Sequence, residues 1–200
     1  MLVKHMKRLE IEKKLQKKLD KARYVHTLGV MYTAASLAMA HQADVEQAMY
    51  AGLLHDCAKC ISNEDKLKLC KKHNIPVTPS EKRSPFLLHA KLGAYFAKKK
   101  YEIEDPEILH AIQVHTTGEP EMNTLDKIIF IADYIEPNRE KAPNLKKIRK
   151  LAFKDLDKAL LQILSDTLEY LKDKGGELDP LTMQTYEYYQ KERRKSEGTY

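Results

Sequence analysis

The sequence lacks several features that identify common classes of protein. It contains three cysteines, Cys57, Cys60 and Cys70, which do not make up a disulfide framework. Cys57 and Cys60 form one CxxC pair, and because no second pair is present, free thiols are favoured over a zinc or redox site. Charged residues run through positions 1–21, leaving no apolar core for a signal peptide or a membrane span. We therefore expect a protein of the reducing cytoplasm with no membrane partner.

Other missing features reduce the number of fold classes and types of functional site that the sequence could form. The sequence shows no internal repeat, no Gly-rich phosphate loop and no serine-centred nucleophile elbow. The alternating apolar pattern of half-buried strands is nearly absent as well. These observations argue against repeat arrays, P-loop nucleotide sites and serine hydrolases, and they predict an all-α protein.

The composition is typical of one globular domain with small additions. Its 200 residues are 42% hydrophobic and 32% charged, which is enough to bury a sizeable core. A formal charge of +6 could favour a polyanionic partner such as a nucleotide, although a solvated basic surface explains the same excess. Because the aromatic–basic interleaving of single-strand binders is missing, we do not expect a nucleic-acid partner.

Apolar periodicity and capping residues predict a succession of helices. The expected segments are 1–20, 20–40, 44–56, 62–74, 86–100, 105–118, 125–135, 155–174 and a last helix beginning near Pro180. Three prolines predict a loop at 76–85. We divide the chain into a basic helical extension at 1–19, a helical-bundle domain at 20–191 and a charged tail at 192–200.

One stretch of the sequence places polar side chains directly after an apolar segment. The segment from Ala48 to Leu54 is apolar and leads directly to His55 and Asp56, with Lys59 three residues further on. A buried polar group without a partner costs about 1–3 kcal/mol, so the pair must be satisfied either by a structural hydrogen bond or by a metal ion. Neutral imidazole and ionised carboxylate are both good ligands for divalent or trivalent metals.

Further polar side chains interrupt other apolar helices in the same way. They are His26, His89, His115 and Asp133. His110 lies five residues before His115 and should point elsewhere on its helix. Because several helices independently place an imidazole or a carboxylate on an apolar face, the economical interpretation is that these groups surround a metal.

The spacing and local phrases resemble the YqeK family of HD-domain metal-dependent phosphohydrolases. His26, His55-Asp56 and Asp133 are similar to the H…HD…D signature of the wider HD group, although Ala58 stands where glycine is common. The resemblance covers residues 22–189 and is carried by four phrases: 24–30 (YVHTLGV), 53–59 (LLHDCAK), 112–118 (IQVHTTG) and 126–139 (DKIIFIADYIEPNR).

This resemblance implies a helical-bundle HD domain that binds iron and cleaves diadenosine tetraphosphate symmetrically into two ADP by attack of metal-bound water. It implies that the metal ligands are His26, His55, Asp56 and Asp133, and that the catalytic residues are Asp56, Lys59, His89 and His115. The implied substrate contacts are Arg23, His26, Lys59, His89, His115, Thr116, Asp133, Arg139, Gly176, Glu177, Leu178, Asp179, Pro180 and Leu181. A protonated His89 or His115 could assist the leaving group.

Several alternatives stay open at this point. The site could hold one or two iron ions or another divalent transition metal, with His89 and His115 as ligands of the second ion. The substrate could instead be a nucleoside monophosphate, guanosine tetraphosphate or a cyclic dinucleotide, and a non-catalytic nucleotide- or RNA-binding module is the remaining class. We expect a dinucleoside polyphosphate and an ADP- or GDP-like product as partners, and a homodimer is left open.

Overall fold

A computed structural model describes residues 6–175, 178–196 and 198. Every regular element in these residues is helical, which confirms the predicted all-α fold. The helices are α1 (Arg8–Lys18), α2 (Lys21–Ala40), α3 (Val45–Leu54), α4 (Asn63–Lys72), α5 (Pro79–Arg83), α6 (Leu88–Lys100), α7 (Pro106–Val114), α8 (Thr124–Ile135), α9 (Leu145–Ala152), α10 (Leu156–Asp173) and α11 (Pro180–Ser196), with a 3-10 turn at Pro85–Leu87.

Side-chain caps fix where the main helices begin. The carboxylate of Asp20 accepts from the backbone N–H of Arg23, and Asp44 and Asp155 cap α3 and α10 in the same way. Such caps contribute about 1 kcal/mol each because they satisfy N–H groups that have no partner inside the helix. At α2 the cap also places Arg23 and His26 within the first two turns.

The centre of the bundle is formed by α2, α3, α7 and α8. Helix α2 packs most extensively against α3, and Gly52 is the residue that permits this close approach. A Cβ at Gly52 would lie 2.9 Å from the Cα of Met31, so any larger residue would push the two backbones apart. Helices α2 and α3, which position His26 and His55, therefore pack so closely that their backbones are in contact.

Four segments differ from the sequence-based expectation. The predicted loop contains α5, which a capping box between Thr78 and Glu81 starts. Helix α7 ends at Val114, before Gly118, and α11 continues past residue 191 to Ser196. Helix α9 was not predicted, because four of its eight residues are Lys or Arg and only three of its side chains are buried.

The N-terminal helix belongs to the packed structure. Ile11 and Leu15 of α1 are fully buried in the same apolar cluster as the central helices. In the described part of the chain, no helix combines the length and the apolar character that crossing a membrane requires.

Candidate metal centre

Asp56 lies at the middle of the polar cluster, directly after α3, and is 1% exposed. Its Oδ2 lies 3.4 Å from His55 Nε2 and 3.8 Å from His26 Nε2. Its Oδ1 lies 3.2 Å from His89 Nε2 and 3.7 Å from His115 Nε2. The carboxylate therefore faces one pair of imidazoles with each oxygen, and we call these the Oδ2 side and the Oδ1 side.

Asp133 completes the Oδ2 side. Its Oδ1 lies 3.0 Å from His26 Nε2 and 3.9 Å from His55 Nε2. The ligand atoms of His26, His55 and Asp56 all lie within 4.8 Å of one another, as do those of His55, His115 and Asp133. Thus the four residues predicted as metal ligands are brought together from α2, α8 and the end of α3.

Buried polar atoms that make no hydrogen bond indicate whether the cluster fits a metal ion. The Nε2 atoms of His26 and His55 and the Oδ1 of Asp56 are buried and accept or donate no hydrogen bond within the described residues. Three such atoms would cost several kcal/mol together, at about 1–3 kcal/mol each, if nothing coordinated them. A cation that accepts lone pairs from imidazole and carboxylate removes this cost, so the arrangement fits a metal.

The Nδ1 atoms, which are the outer nitrogens of these histidines, make hydrogen bonds that determine the tautomer of each ring. The Nδ1 of His55 donates to the carbonyl of Gly52 at 2.7 Å, and that of His115 donates to Ile112 at 2.7 Å. His89 Nδ1 donates to the carbonyl three residues before it at 2.5 Å. Because a carbonyl can only accept, the proton is on Nδ1 and the lone pair of Nε2 faces the centre, as metal-ligating histidines require.

Glu136 supports the fourth histidine and was missed by sequence reasoning. Its Oε1 lies 3.1 Å from His26 Nδ1, and its Oε2 accepts from the backbone and side-chain nitrogens of Asn138 at 2.8 and 2.9 Å. A Cβ at Gly29 would lie 2.3 Å from Oε2, so a glycine is needed to admit this carboxylate. A second acid three residues after Asp133, at the end of the most apolar helix, is the signal that could have found it.

Arg149 of α9 holds the segment that follows α8. It donates to the carbonyls of Ile135 and Glu136 at 2.9 Å each and to that of Arg139 at 3.0 Å. The sequence offers no signal for this role, since the arginine lies in a short basic helix that was not predicted. The contacts fix the backbone that carries both Glu136 and Arg139.

On the Oδ1 side the imidazoles already have partners. Lys59 Nζ lies 3.0 Å from His89 Nε2, and Thr116 Oγ1 lies 3.1 Å from His115 Nε2. The two Nε2 atoms are 3.1 Å apart. Burial lowers the pKa of His89 to about 4; the Asp56 carboxylate opposes this shift, whereas His115 and Lys59 add to it. His89 is therefore neutral near pH 7 in this arrangement.

Both carboxylates of the centre are ionised. Burial alone would raise the pKa of Asp56, but the imidazoles of His55, His115 and His89 hold it well below its usual range. Burial likewise opposes ionisation of Asp133, and the adjacent imidazoles of His26 and His55 lower its pKa strongly. Two negative charges thus face the Oδ2 side, which is the charge pattern that a cation needs.

Two arginines lie at the rim of the Oδ2 side. Arg23 Nη1 lies 2.7 Å from Asp56 Oδ2, and Arg139 Nη2 lies 2.9 Å from Asp133 Oδ1. Their side chains are 29% and 43% exposed. They line one cleft of about 630 Å³ together with His26 and Glu136. Cationic side chains are therefore available at the entrance to the buried carboxylates.

Residues 178–181 of the predicted nucleotide segment lie at the start of α11. Asp179 accepts from Ser80 at 2.7 Å and from the backbone N–H of Leu181 at 2.9 Å. A Cβ on Gly118 would lie 2.9 Å from Thr185 of α11, so this helix packs against the turn that follows His115. The structure thus describes residues 178–181, the second part of the predicted segment, whereas Gly176 and Glu177 lie outside the described residues.

His110 lies away from the cluster. Its Nδ1 is 3.0 Å from Asp126 and its Nε2 is 2.8 Å from Glu119. It shares α7 with the approach to His115, but the five-residue spacing turns it to another face.

Fold and site together define a metal-dependent phosphohydrolase of the HD type. The HD-domain family matches residues 23–138, more than half of the chain, and the protein belongs to this family. The chain is 38% identical to a protein of Bacillus subtilis named symmetrical bis(5'-nucleosyl)-tetraphosphatase, over 87% of this chain and 92% of that protein. It is 40% identical to a protein of the same name from Halalkalibacterium halodurans, over 84% and 89%.

A solved structure agrees with these relatives. It is described as a predicted HD superfamily hydrolase involved in NAD metabolism from Clostridium acetobutylicum, and it is 41% identical to this chain. The TM-score is 0.90, with 94% of this chain and 99% of that chain covered. The resemblance to the YqeK family that the motifs indicated is therefore confirmed.

Proposed function

We propose that this protein hydrolyses diadenosine tetraphosphate symmetrically into two ADP molecules. The observation that carries the proposal is a His/Asp cluster with unpartnered inner atoms beside three cations, Arg23, Lys59 and Arg139. Two relatives that are 38% and 40% identical over most of their length carry the name of this activity. A substrate with a chain of about four negative charges suits a site that combines a metal with a basic rim.

We propose iron as the metal, held by His26, His55, Asp56 and Asp133. This set contains nitrogen and oxygen ligands and no thiolate, which suits iron or another divalent transition metal. When bound, the metal lowers the pKa of a coordinated water from 15.7 toward ~7 and polarises a phosphoryl oxygen. Asp56 holds the attacking water by accepting its hydrogen bond at Oδ1, the carboxylate oxygen that accepts no hydrogen bond within the described residues.

Lys59 distinguishes the Oδ1 side from a second metal site. Asp56, His89 and His115 lie close enough together to hold an ion. However, the Lys59 ammonium is 3.0 Å from His89 Nε2 and 3.6 Å from Asp56 Oδ1, and a second cation there would be repelled. We therefore propose one metal, with His89 and His115 positioning Lys59 and Thr116 against the phosphates.

The remaining cations bind the charged bridge. Arg23 and Arg139 are ion-paired with the metal-site carboxylates and are exposed enough to reach phosphate oxygens at the same time. Guanidinium groups bind phosphate in a bidentate manner, which orients the chain as well as neutralising it. They thereby stabilise the charge that develops on the transferred phosphoryl group and on the leaving diphosphate.

The position of the cut follows from how the nucleoside is held. We propose that Gly176, Glu177, Leu178, Asp179, Pro180 and Leu181 bind one nucleoside half, which places its inner phosphate at the attacking water. The in-line leaving group is then the other nucleoside diphosphate, and the products are identical. A cytoplasmic location and a homodimer stay predictions.

Hydrolysis in oxygen-18 water tests the proposal. Diadenosine tetraphosphate is incubated with the iron-loaded enzyme. The products are then separated, and the oxygen-18 content of each is measured from its mass. We expect ADP alone, with one label per pair of molecules. AMP with ATP would contradict symmetric cleavage, and free inorganic phosphate would indicate the nucleotidase alternative. Enzyme stripped by a chelator is the matched control and should be inactive until iron is restored.

A further inference from the structure

The cleft on the Oδ2 side of the metal centre extends past the residues that the proposed mechanism uses. It has a volume of about 630 Å³, within the range of about 300–1,000 Å³ that small-molecule sites occupy. Besides Arg23 and Arg139, its lining includes Ala22, Val25 and Asn138, none of which binds the metal or the phosphates in that mechanism. The cleft therefore has room and side chains for a further part of the ligand.

Ala22 and Val25 give the cleft an apolar wall beside a cation. They are three residues apart on α2, which places them on the same face of the helix, and Arg23 lies between them in sequence. Both are exposed, Val25 at 42% although it directly precedes the buried His26. Single exposed apolar side chains are common, so exposure alone would indicate nothing. In a cleft beside a phosphate-binding arginine, however, this surface suits the base or the ribose of a nucleotide.

Asn138 adds a polar group whose orientation is fixed. Its Nδ2 donates to Glu136 Oε2 at 2.9 Å, and its backbone N–H donates to the same oxygen at 2.8 Å. Because the carboxylate accepts both bonds, the amide nitrogen faces Glu136, and the amide oxygen is the end that can accept from a ligand. An amino group of a base or a hydroxyl of a ribose is a donor of the required kind.

The other charges of the lining do not form a further anion site. Asp20 and Glu136 contribute carboxylates, and Lys21 contributes one more cation at the exposed start of α2. Arg23 and Arg139 are themselves ion-paired with carboxylates of the metal centre. A lining with both signs of charge favours an uncharged group next to the bound phosphates over additional phosphates.

Residues 178–181 lie toward the opposite side of the centre. They lead into α11, and Thr185 of this helix would be 2.9 Å from a Cβ at Gly118, in the turn that follows His115. His115 belongs to the Oδ1 side, whereas the cleft is lined by His26 of the Oδ2 side. A substrate with a nucleoside at each end of its phosphate chain needs one such place on each side of the bond that is cut.

We propose that this cleft binds the nucleoside of the leaving half of a dinucleoside tetraphosphate. Arg23 and Arg139 contact the phosphates of that half, the nucleoside lies against Ala22 and Val25, and Asn138 accepts a hydrogen bond from it. The substrate thus spans the metal centre, and the cleft favours dinucleoside polyphosphates over mononucleotides with the same phosphate chain. The proposal rests on the proposed function, because it divides a symmetric substrate between two subsites.

Removing the apolar contact at Val25 tests the subsite. Adenosine 5'-tetraphosphate is the comparison substrate, because it has the same phosphate chain and only one nucleoside, which the side of residues 178–181 accommodates. In Val25→Ser we expect kcat/KM for diadenosine tetraphosphate to fall about fivefold, with kcat/KM for adenosine tetraphosphate and the metal content unchanged. Val25→Ile should keep both values of kcat/KM. Tyr32→Ser is the control, at an exposed residue of the same helix outside the cleft, and should also keep both.

A second measurement does not depend on cleavage. In Val25→Cys, the rate at which iodoacetamide alkylates position 25 is followed by mass spectrometry of the peptide that contains it. A diadenosine tetraphosphate analogue with a methylene group in place of the central bridging oxygen should slow this alkylation, because its nucleoside covers the position. Inorganic tetraphosphate, which has no nucleoside, should leave the rate unchanged.

Three results would overturn the subsite. They are an equal change of kcat/KM for both substrates in Val25→Ser, an alkylation rate in Val25→Cys that the analogue does not alter, and a change of oligomeric state in Val25→Ser. The last would show that the exposed side chain is a contact between copies of this chain. Failure of the proposed function is seen separately, as AMP with ATP in the oxygen-18 experiment, whereas protection in Val25→Cys does not depend on where the bridge is cut.

Discussion

The two sides of Asp56 each carry a pair of histidines, but in different electrostatic surroundings. Each side has two histidines whose Nε2 atoms face the carboxylate. On the Oδ2 side, Asp133 adds a second negative charge, and the Nε2 atoms of His26 and His55 make no hydrogen bond with the part of the chain that the structure describes. On the Oδ1 side, Lys59 adds a positive charge and the nitrogens accept hydrogen bonds.

This difference indicates that the charge of the neighbouring side chain determines whether a histidine favours binding of a cation or of an anion. Two carboxylates and two unpartnered nitrogens attract a cation, whereas the Lys59 ammonium beside His89 and Asp56 repels one and attracts phosphate. The Nδ1 atom of His55 donates to a backbone carbonyl just as those of His89 and His115 do, so this bond does not make the distinction; His26 differs, because its Nδ1 lies beside the Glu136 carboxylate. The predictions below remove one element of this asymmetry at a time.

The largest effect should come from His55→Ala on the Oδ2 side. We expect the variant to purify without metal and to lose activity by about a thousandfold or more, because the several kcal/mol that the metal supplies are lost. Metal content by elemental analysis and hydrolysis rate are measured together, with helical circular dichroism unchanged. His115→Ala is the matched comparison from the other side and should keep its metal; full metal occupancy in His55→Ala would refute the assignment.

Lys59→Met should separate phosphate binding from metal binding. The substitution keeps the length of the side chain and removes the charge, so metal stays bound on the Oδ2 side while turnover falls. A charge-assisted contact is worth about 1.5–3 kcal/mol, which corresponds to roughly ten- to more than a hundredfold in rate. Lys68→Met, at an exposed lysine of α4, is the control. A parental rate in Lys59→Met would make Lys59 an ordinary surface lysine.

Glu136→Gln tests whether the Glu136 carboxylate, through its contact with His26 Nδ1, strengthens metal binding on the Oδ2 side. Removing the charge beside His26 Nδ1 should weaken metal affinity about 10–100-fold, the range found for partners of metal-ligating histidines. Competition with a chelator gives the affinity. Glu119→Gln provides the control, since Glu119 contacts His110 outside the cluster. Equal metal affinity in the two variants would show that Glu136 does not orient His26.

The smallest effect should come from Arg149→Lys. A lysine cannot donate to three carbonyls in the same fork geometry, so the backbone at Arg139 loosens and substrate binding weakens. We expect KM to rise about fivefold, equivalent to about 1 kcal/mol, with metal content unchanged. Lys150→Arg on the same helix should leave KM at its parental value. A fall in kcat with constant KM would contradict a role in positioning Arg139.

Local sequence patterns account for much of this architecture. Caps such as Asp44 and Asp105 predicted helix starts closely, since a cap depends on residues a few positions away. The buried histidines and aspartates could be recognised because each interrupts an apolar helix. Helix α9 escaped recognition although Leu145, Ile148 and Ala152 follow helical spacing, because the pattern spans only eight residues, four of them Lys or Arg.

What decides the chemistry of each side is not local. Glu136 contacts His26 across 110 residues of sequence, and Lys59 contacts His89 across 30. The spacing of Glu136 after Asp133 marks it as a candidate residue, but neither its partner His26 nor the partner of Lys59 can be read from the sequence. The motif resemblance implied four metal ligands and left a second ion at His89 and His115 open, and the contact of Lys59 with His89 is what favours a single metal.

Anomalous diffraction at the iron absorption edge is the most direct test of this distinction. Crystals of the protein purified with iron should show one strong peak beside the Nε2 atoms of His26 and His55 and the carboxylates of Asp56 and Asp133. Lys59 should remain between His89 and Asp56. A second peak of comparable height between His89 and His115, with Lys59 displaced, would contradict the account.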